Sequence, residues 1–497
     1  MSNPALESHH PDFVPDPRRW SALIIMLLAM FINIIDLSIV NVALPSLQKG
    51  LGASSSQIEW VVAAYVLAFA LGLLPFGRLG DIVGRKRIFM LGVAGFTIAS
   101  LLCGVAPSIN LLIVARILQG LAGSMMIPQV LAIAQVTFPP KERGFAFSFF
   151  GLTAGLASVA GPLMGGLLIS ANLYGLDWRP IFLVNLPIGI FALIAAWRVV
   201  PETKPHPGLT HDLGGILLAS IGILLMVFPL IEGRGYGWPV WAFAMIAASF
   251  VVFALFYLWE KRREAANQTQ LLSVSLMKNR NFAIGSLITM IFFSGLPGFF
   301  FILALFLQSG FGFTPLQSGL TTIPFPIGVL IASLLSGRLG NKMMPQRLMG
   351  GALMLVIGMA TLRYVIAGVT DEVNHWWLVV PLVISGFGLG VAISALFQTI
   401  LVGVPPRDAG SASGALQAFQ QIGGALGVAL VGELFFSKLA ALMQAGGSAH
   451  LAFVEAAKHG LIYEIAVFVI MAAMVPLLKA APKQGASDGQ APVIVEA

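Results

Sequence analysis

The sequence predicts an all-α integral membrane protein with fourteen transmembrane helices, and three observations carry that prediction. Of 497 residues, 58% are hydrophobic and only 10% charged, whereas a soluble chain carries about 25% charged residues. The apolar residues form continuous runs of the length that a helix needs to cross a hydrocarbon core of about 30 Å. They do not alternate with polar residues as the strands of an outer-membrane barrel would. Lys and Arg concentrate in every second loop, which is how helical membrane proteins set their orientation. This composition excludes a soluble enzyme and a disordered chain, and the single cysteine excludes a disulfide-stapled secreted protein.

In chain order the predicted spans are 20–44, 58–76, 88–106, 110–135, 145–171, 180–198, 213–232, 239–259, 282–308, 317–336, 347–368, 376–400, 411–436 and 460–479. A polar tail, 1–19, ends in Pro17-Arg18-Arg19 before the first run. That run is too long for a signal-peptide core and has no small-residue cleavage site, so it reads as a retained helix. Cys103 falls in the third span and reads as a small apolar filler. With an even number of spans both termini share a side. That side collects 21 of the 28 basic residues against 6 opposite, with Arg116 inside a span. The expected location is the cytoplasmic (inner) membrane with both termini in the cytoplasm. The formal charge of +7 is then a topology signal, and the partners expected are lipid, protons and a small-molecule substrate, with no nucleic acid. Nothing in the sequence identifies a periplasmic adaptor.

An internal repeat divides the chain. Gly77-Arg78-Leu79-Gly80 follows span 2 and Gly337-Arg338-Leu339-Gly340 follows span 10, an offset of 260. Pro139-Pro140-Lys141-Glu142-Arg143-Gly144 precedes span 5 and Pro405-Pro406-Arg407-Asp408-Ala409-Gly410 precedes span 13, an offset of 266. Two matches in the same order predict a duplicated bundle of six: a cytoplasmic tail 1–19, an N-terminal bundle 20–200, two inserted spans within 201–265, a C-terminal bundle 266–480 and a tail 481–497. Duplicated halves with a site at their interface are a secondary-transporter architecture.

Asp36 and Arg116 are the mid-span charges. Either is costly in a bilayer and must face the protein interior or a wet cavity. Desolvation favours the neutral form of a carboxyl group, which makes an intramembrane Asp a candidate proton carrier. The alternative is a structural Asp bonded to Asn33, Ser38 or Asn41, and a packing Arg bonded to carbonyls. In span 5, Gly151/Gly155 and Gly161/Gly165 repeat at a spacing of four, which stacks small residues on one helix face. Pro162 adds a kink, and Gly166 follows. Between spans 2 and 3, Gly77 to Arg87 combines turn-forming glycines with Asp81, Arg85 and Lys86. Asp81 can pair with a base or face a helix N-terminus.

These strings resemble the major facilitator superfamily over nearly the whole chain, and within it the fourteen-span drug:proton antiporter branch of the QacA/EmrB type. Gly77-Arg78-Leu79-Gly80-Asp81-Ile82-Val83-Gly84-Arg85-Lys86-Arg87 is similar to the superfamily's gating loop, with Ile82 where a basic residue is usual. Ile35-Asp36-Leu37-Ser38 to Pro45 resembles the branch's first-span motif, with Ser38 where Thr is common. Leu112, Arg116, Gln119, Gly120 and Gly123 resemble the span-4 motif linked to proton transfer, with Ala122 where Gly is usual. The span-5 glycines with Pro162 resemble the motif that separates antiporters from uptake symporters. Trp60 to Tyr65 and Asp177 to Pro187 also resemble the branch, with Pro180 for a frequent Trp.

The resemblance implies the major facilitator fold, of two six-helix bundles plus two additional helices. It also implies a proton-coupled exporter of hydrophobic or cationic small molecules, in which Asp36 and Arg116 couple the proton. Candidate cavity residues are Asn33, Tyr65, Gln119, Met125, Met126, Phe149, Phe293, Phe299, Gln420 and Gln421. Glu433 and Glu464 are either proton or cation sites or carboxylates reaching headgroup water. An uptake symporter of the same fold and a non-transporting channel or scaffold are the rival readings. No phosphate-binding loop or His-Glu-x-x-His string occurs, so no enzyme, cofactor or metal is expected. His9-His10 lies in a tail, and Gly386-x-Gly388-x-Gly390 lies within a span and is no dinucleotide fingerprint. Asn267-Gln268-Thr269 is a sequon in a loop expected to be cytoplasmic. Epitope tags near Lys204 and Glu260 should report the cytoplasm and a tag near Gly235 the outside; any other accessibility pattern breaks the fourteen-span topology.

Overall fold

A computed structural model of the chain describes residues 16–202, 209–339, 343–370, 372–401, 404–446 and 448–478. Of the features read above, His9-His10, Lys204 and Gly340 lie outside these residues. Among the described residues fourteen helices are long and apolar enough to cross a membrane, and there is no strand. They are α1 Arg19–Leu51, α2 Ser55–Val83, α3 Arg85–Gly104, α4 Ile109–Thr137 and α5 Pro140–Ala171. Next come α6 Pro180–Val199, α7 Leu213–Glu232, α8 Val240–Ala265, α9 Arg280–Gly310 and α10 Leu316–Ser333. The last four are α11 Met344–Ala367, α12 His375–Leu401, α13 Ala409–Gln444 and α14 Ala449–Met474. Helices satisfy their own backbone polar groups, which the lipid cannot do.

Local chemistry sets several ends. Ser54 and Gln57 form a capping box at the start of α2, and Thr314 and Gln317 form another ahead of α10. Gly52 closes α1 in the left-handed conformation. The expected loop after span 2 is corrected: Gly77 to Val83 continue α2, and the turn into α3 is Gly84 alone. Gly84 has φ +117°, a conformation that L side chains rarely adopt. The last two helices are also longer than expected. Helix α13 continues to Gln444 and α14 begins at Ala449, because Leu434 to Met443 and Leu451 to Ala457 keep an apolar face beyond the fully apolar window.

The packing is that of two related halves. Helix α2 of the first half packs on α13, the fifth helix of the second; α5, the fifth of the first, packs on α10 and α12. The inserted pair α7–α8 lies against the α2–α13 seam. Ile223 and Val227 of α7 are buried with Leu67 and Ala70 of α2 and with Ala418 and Ile422 of α13. Helix α8 faces outward, with Phe243, Phe250, Val251 and Leu255 exposed as a lipid-facing surface requires.

At the end carrying most of the basic residues, the halves are locked. Asp81 accepts N–H bonds from Gly410 at 2.9 Å and Ser411 at 3.0 Å, at the positive N-terminal end of α13. Arg85 donates to Asp81 at 2.7 Å and to the Pro406 carbonyl at 2.5 Å. Arg78 pairs with Asp408 at 2.9 Å, and Gln135 donates to the Leu401 carbonyl at 2.7 Å. The backbones approach closely as well: a Cβ on Gly77 would lie 2.5 Å from the Gly410 carbonyl, and one on Gly414 2.5 Å from that of Leu73. Lys86 stays within its own half, donating to the Trp197 carbonyl at 2.8 Å.

Asp81→Asn removes the charge that Arg85 and the α13 N-terminus share. In a Cys103→Ser background it should speed labelling of a cysteine at Ser411 by a water-soluble maleimide. Unchanged labelling would mean that backbone packing at Gly77 and Gly410 closes this end without the ion pairs.

Candidate functional site

A cavity of about 940 Å³, counting its solvent-open part, lies between the halves. The first half contributes Met30, Asn33, Leu37, Tyr65 and Phe150, among others; the second contributes Phe293, Pro297, Phe397, Gln417 and Gln420. Its wall is apolar and aromatic with a few amides and a phenol, and none of its lining residues carries a charge. Such a wall offers adaptable contact to apolar molecules and a small number of orienting hydrogen bonds.

Behind the first-half wall is a buried polar network. Asp36 on α1 and Arg116 on α4 are both fully buried and directly paired. Gln119, one turn after Arg116, donates to Asp36 at 2.8 Å and to Ser100 on α3 at 2.8 Å. Asn185 on α6 donates to Asp36 at 3.0 Å. Arg116 also donates to the Gln119 side-chain oxygen at 2.7 Å and to the Val61 carbonyl of α2 at 3.0 Å. The Tyr65 ring lies 4.2 Å from its guanidinium carbon, a cation–π contact in a desolvated setting. The Tyr65 hydroxyl accepts from Asn33 at 2.8 Å. Tyr65 and Asn33 both line the cavity, so one aromatic ring separates the ion pair from it.

The pairing explains why two charges are tolerated here. A buried ion is stable only when its remaining lone pairs and protons also find partners. Asp36 accepts from three side chains, and Arg116 uses its Nε, one terminal nitrogen and its ring contact. Its second terminal nitrogen has no hydrogen-bond partner among the described residues, and it is the part of the pair left free to take one.

The local partners weighed from sequence do not reach Asp36. Asn33 bonds Tyr65, Ser38 bonds the Ile34 and Ile35 carbonyls, and Asn41 bonds the Leu37 carbonyl. Its partners come from other helices instead. Asn185 and Ser100 were missed, although both are polar residues inside spans, which is the signal that would have drawn attention to them. Arg78 and Asp408 were likewise not singled out, although both sit in the repeated loop strings.

Of the candidate cavity residues, Asn33, Tyr65, Phe293, Gln420 and Gln421 line the cavity. Gln119 belongs to the buried network. Met125 packs against Gly92 of α3, and Phe149 sits against Trp20 and Phe145. Met126 and Phe299 are fully buried in helix packing.

In α5, Gly161 and Gly165 seat the helix on α1 directly beside the ion pair. A Cβ on Gly161 would collide with the Ser38 hydroxyl, and one on Gly165 would lie 2.9 Å from Ile39. A Cβ on Gly155 would make ordinary contact with Pro326 and Val329 of the other half, at 3.7 Å, and Gly166 has open space around it. Pro162 lies within the helix. Glu433, in the C-terminal part of α13, accepts from Trp238 at 3.1 Å. Glu464 does not reach headgroup water, being fully buried midway along α14.

Comparison with known proteins agrees with this architecture. The model of the Major Facilitator Superfamily matches residues 26–213 and 209–428. The chain is 41% identical to the probable actinorhodin transporter of Streptomyces coelicolor over 426 residues, 86% of this chain and 74% of that one. It is 33% identical to the puromycin resistance protein pur8 of Streptomyces alboniger, covering 91% and 88%. It is 30% identical to the tetracenomycin C resistance and export protein of Streptomyces glaucescens, covering 88% and 79%. The human organic anion transporter MFSD10 shares the fold, with a TM-score of 0.63 at 15% identity over 93% of this chain. The chain belongs to the Major Facilitator Superfamily and is a multi-pass membrane transporter.

Proposed function

We propose that the chain is a proton-coupled exporter of hydrophobic or cationic small molecules, working by alternating access in the cytoplasmic membrane with both termini inside. The observation that carries this reading is the fully buried Asp36–Arg116 pair set one ring behind a cavity between two halves. Similarity to antibiotic resistance and export proteins supports the direction and the substrate class. In this reading the basic end is cytoplasmic, and the Asp81–Arg85–α13 and Arg78–Asp408 contacts hold it shut in the conformation described.

The geometry supports the following route for coupling. With Asp36 ionised, Arg116 is neutralised and held against Tyr65. A proton arriving on Asp36 removes that neutralisation and leaves a buried guanidinium without its counter-charge. Breaking a buried pair by removing one partner costs about 3–5 kcal/mol, so the first half must rearrange around Arg116. Tyr65 and Asn33 carry that rearrangement to the cavity wall, where it weakens substrate contact. Deprotonation toward the cytoplasm restores the pair and resets the cycle. A membrane potential of 100 mV supplies about 2.3 kcal/mol per charge moved, enough for roughly 50-fold accumulation without any pH gradient.

Asp36→Asn should abolish transport driven by a pH gradient while leaving binding of the same dye within about tenfold, a difference of 1.4 kcal/mol. Inside-out vesicles with an imposed gradient and a fluorescent cationic dye provide the measurement, and the direction of dye movement separates export from uptake. Full gradient-driven transport by the variant would remove Asp36 from the coupling. Arg116→Ala leaves Asp36 buried and unpaired, so thermal unfolding in detergent should show a loss of about 3–5 kcal/mol. Arg116→Lys should recover little of it, because an ammonium cannot reach both the Val61 carbonyl and Asp36 from one rigid fork.

A further inference from the structure

Glu464 stands apart from every other acidic side chain among the described residues. It is fully buried, and neither carboxyl oxygen has a hydrogen-bond partner. It projects from α14 into a notch in α9. A Cβ on Gly295 would lie 2.9 Å from one carboxyl oxygen and a Cβ on Gly298 2.6 Å from the other, with Phe468 and Val431 closing the site.

Among the described residues no charge compensates it. Helix α9 carries no titratable residue after Arg280. On α13, Glu433 bonds Trp238 and Lys438 lies further toward the C-terminal end. On α11, Arg347 donates to Ser394, Arg363 donates to the Lys458 carbonyl, and Tyr364 is exposed. Tyr463, next to Glu464 on α14, is a neutral phenol. An ionised carboxylate with no partner in such a place costs several kcal/mol, so the group is held as the neutral acid.

The notch is one helix wall from the cavity. Phe293 and Pro297 of α9 and Gly424 of α13 line the cavity on the opposite face from Gly295 and Gly298. Pro297 has no N–H, so the Phe293 carbonyl lacks its helical donor and α9 is weakened at that point. The arrangement also parallels the first half. There the sixth helix, α6, sends Asn185 to Asp36 on the first helix; here the sixth helix of the second half sends Glu464 into its first.

We infer that Glu464 is a second proton-binding site, in the C-terminal half, that holds its proton in this conformation and releases it to the cavity when α9 yields at Pro297. The inference rests on the proton-coupled reading above.

Infrared difference spectra of the full chain in lipid, taken between acid and alkaline pH without ligand, test it. The carbonyl band of a buried protonated carboxyl should titrate. It should vanish in Glu464→Gln, move its midpoint in Glu464→Asp and persist in Asp36→Asn. In proteoliposomes, Glu464→Gln should lower steady-state ethidium accumulation about tenfold at a gradient of one pH unit, since one proton fewer per cycle removes one factor of ten. Glutamine is the size of the protonated acid, so the variant should purify as wild type does; if it does not, Glu464→Asp and the wild-type titration decide. A spectrum unaffected by Glu464→Gln, or no titrating band in the wild type, overturns the inference. Unimpaired transport by Asp36→Asn would overturn the earlier reading and leave the infrared result standing.

Discussion

Keeping the Asp36 carboxylate inside a bilayer is the constraint on which the first half of the molecule is organised. A charge there needs partners that cannot be supplied by lipid, and the partners come from several helices at once. Arg116 and Gln119 of α4 and Asn185 of α6 bond it directly. Ser100 of α3 and the Val61 carbonyl and Tyr65 ring of α2 hold those partners in turn. Helix α5 is then brought against α1 at Gly161 and Gly165, where any side chain would push it away from Ser38 and Ile39. Six helices are thus tied into one unit by a single ion pair and two glycines.

The second half is built differently at the corresponding depth. Its first and fifth helices meet backbone to backbone: Gly423 and Gly427 of α13 press on the Met290 and Ser294 carbonyls of α9. The intramembrane acid that it buries, Glu464, has no cationic partner among the described residues. The two halves thus differ in what a buried acid meets: an arginine and two amides in the first, glycine backbone in the second. The ion pairs between the halves lie at the basic end, where α2 meets the start of α13 through Asp81 and Arg78. The inserted pair α7–α8 is fastened across the same seam. The loop between α7 and α8 places Arg234 3.9 Å from the Phe436 ring, and burial lowers the affinity of that guanidinium for its proton.

Much of this was legible in the sequence for simple reasons. Apolar length is a local property, and bilayer thickness is nearly constant, so fourteen runs could be counted directly. Asp36 and Arg116 stood out because charge is rare within spans. Asp81 was expected to meet either a base or a helix N-terminus, and it meets both. The misplaced features have physical causes as well. The turn after α2 read as a loop because seven residues rich in glycine and charge precede Gly84, yet helix satisfies their backbone until the one residue with φ of +117°. Asn33, Ser38 and Asn41 were weighed as partners of Asp36 because they are near in sequence, but polar side chains within a helix often bond the carbonyl of the preceding turn, as Ser38 and Asn41 do.

The sequence by itself determined the class of the protein, the number and order of its helices and the two charges at its centre. All of these depend on residue type and on spacing along one chain. The tertiary structure alone decided which helix faces which. A helix that is apolar all round carries little information about its rotation. That rotation separates Tyr65, Phe293 and Gln420, which line the cavity, from Met125 and Phe149, which pack against neighbouring helices. It also brings Asn185 to Asp36 across 149 positions of chain and leaves Glu464 facing two glycines instead of a cation.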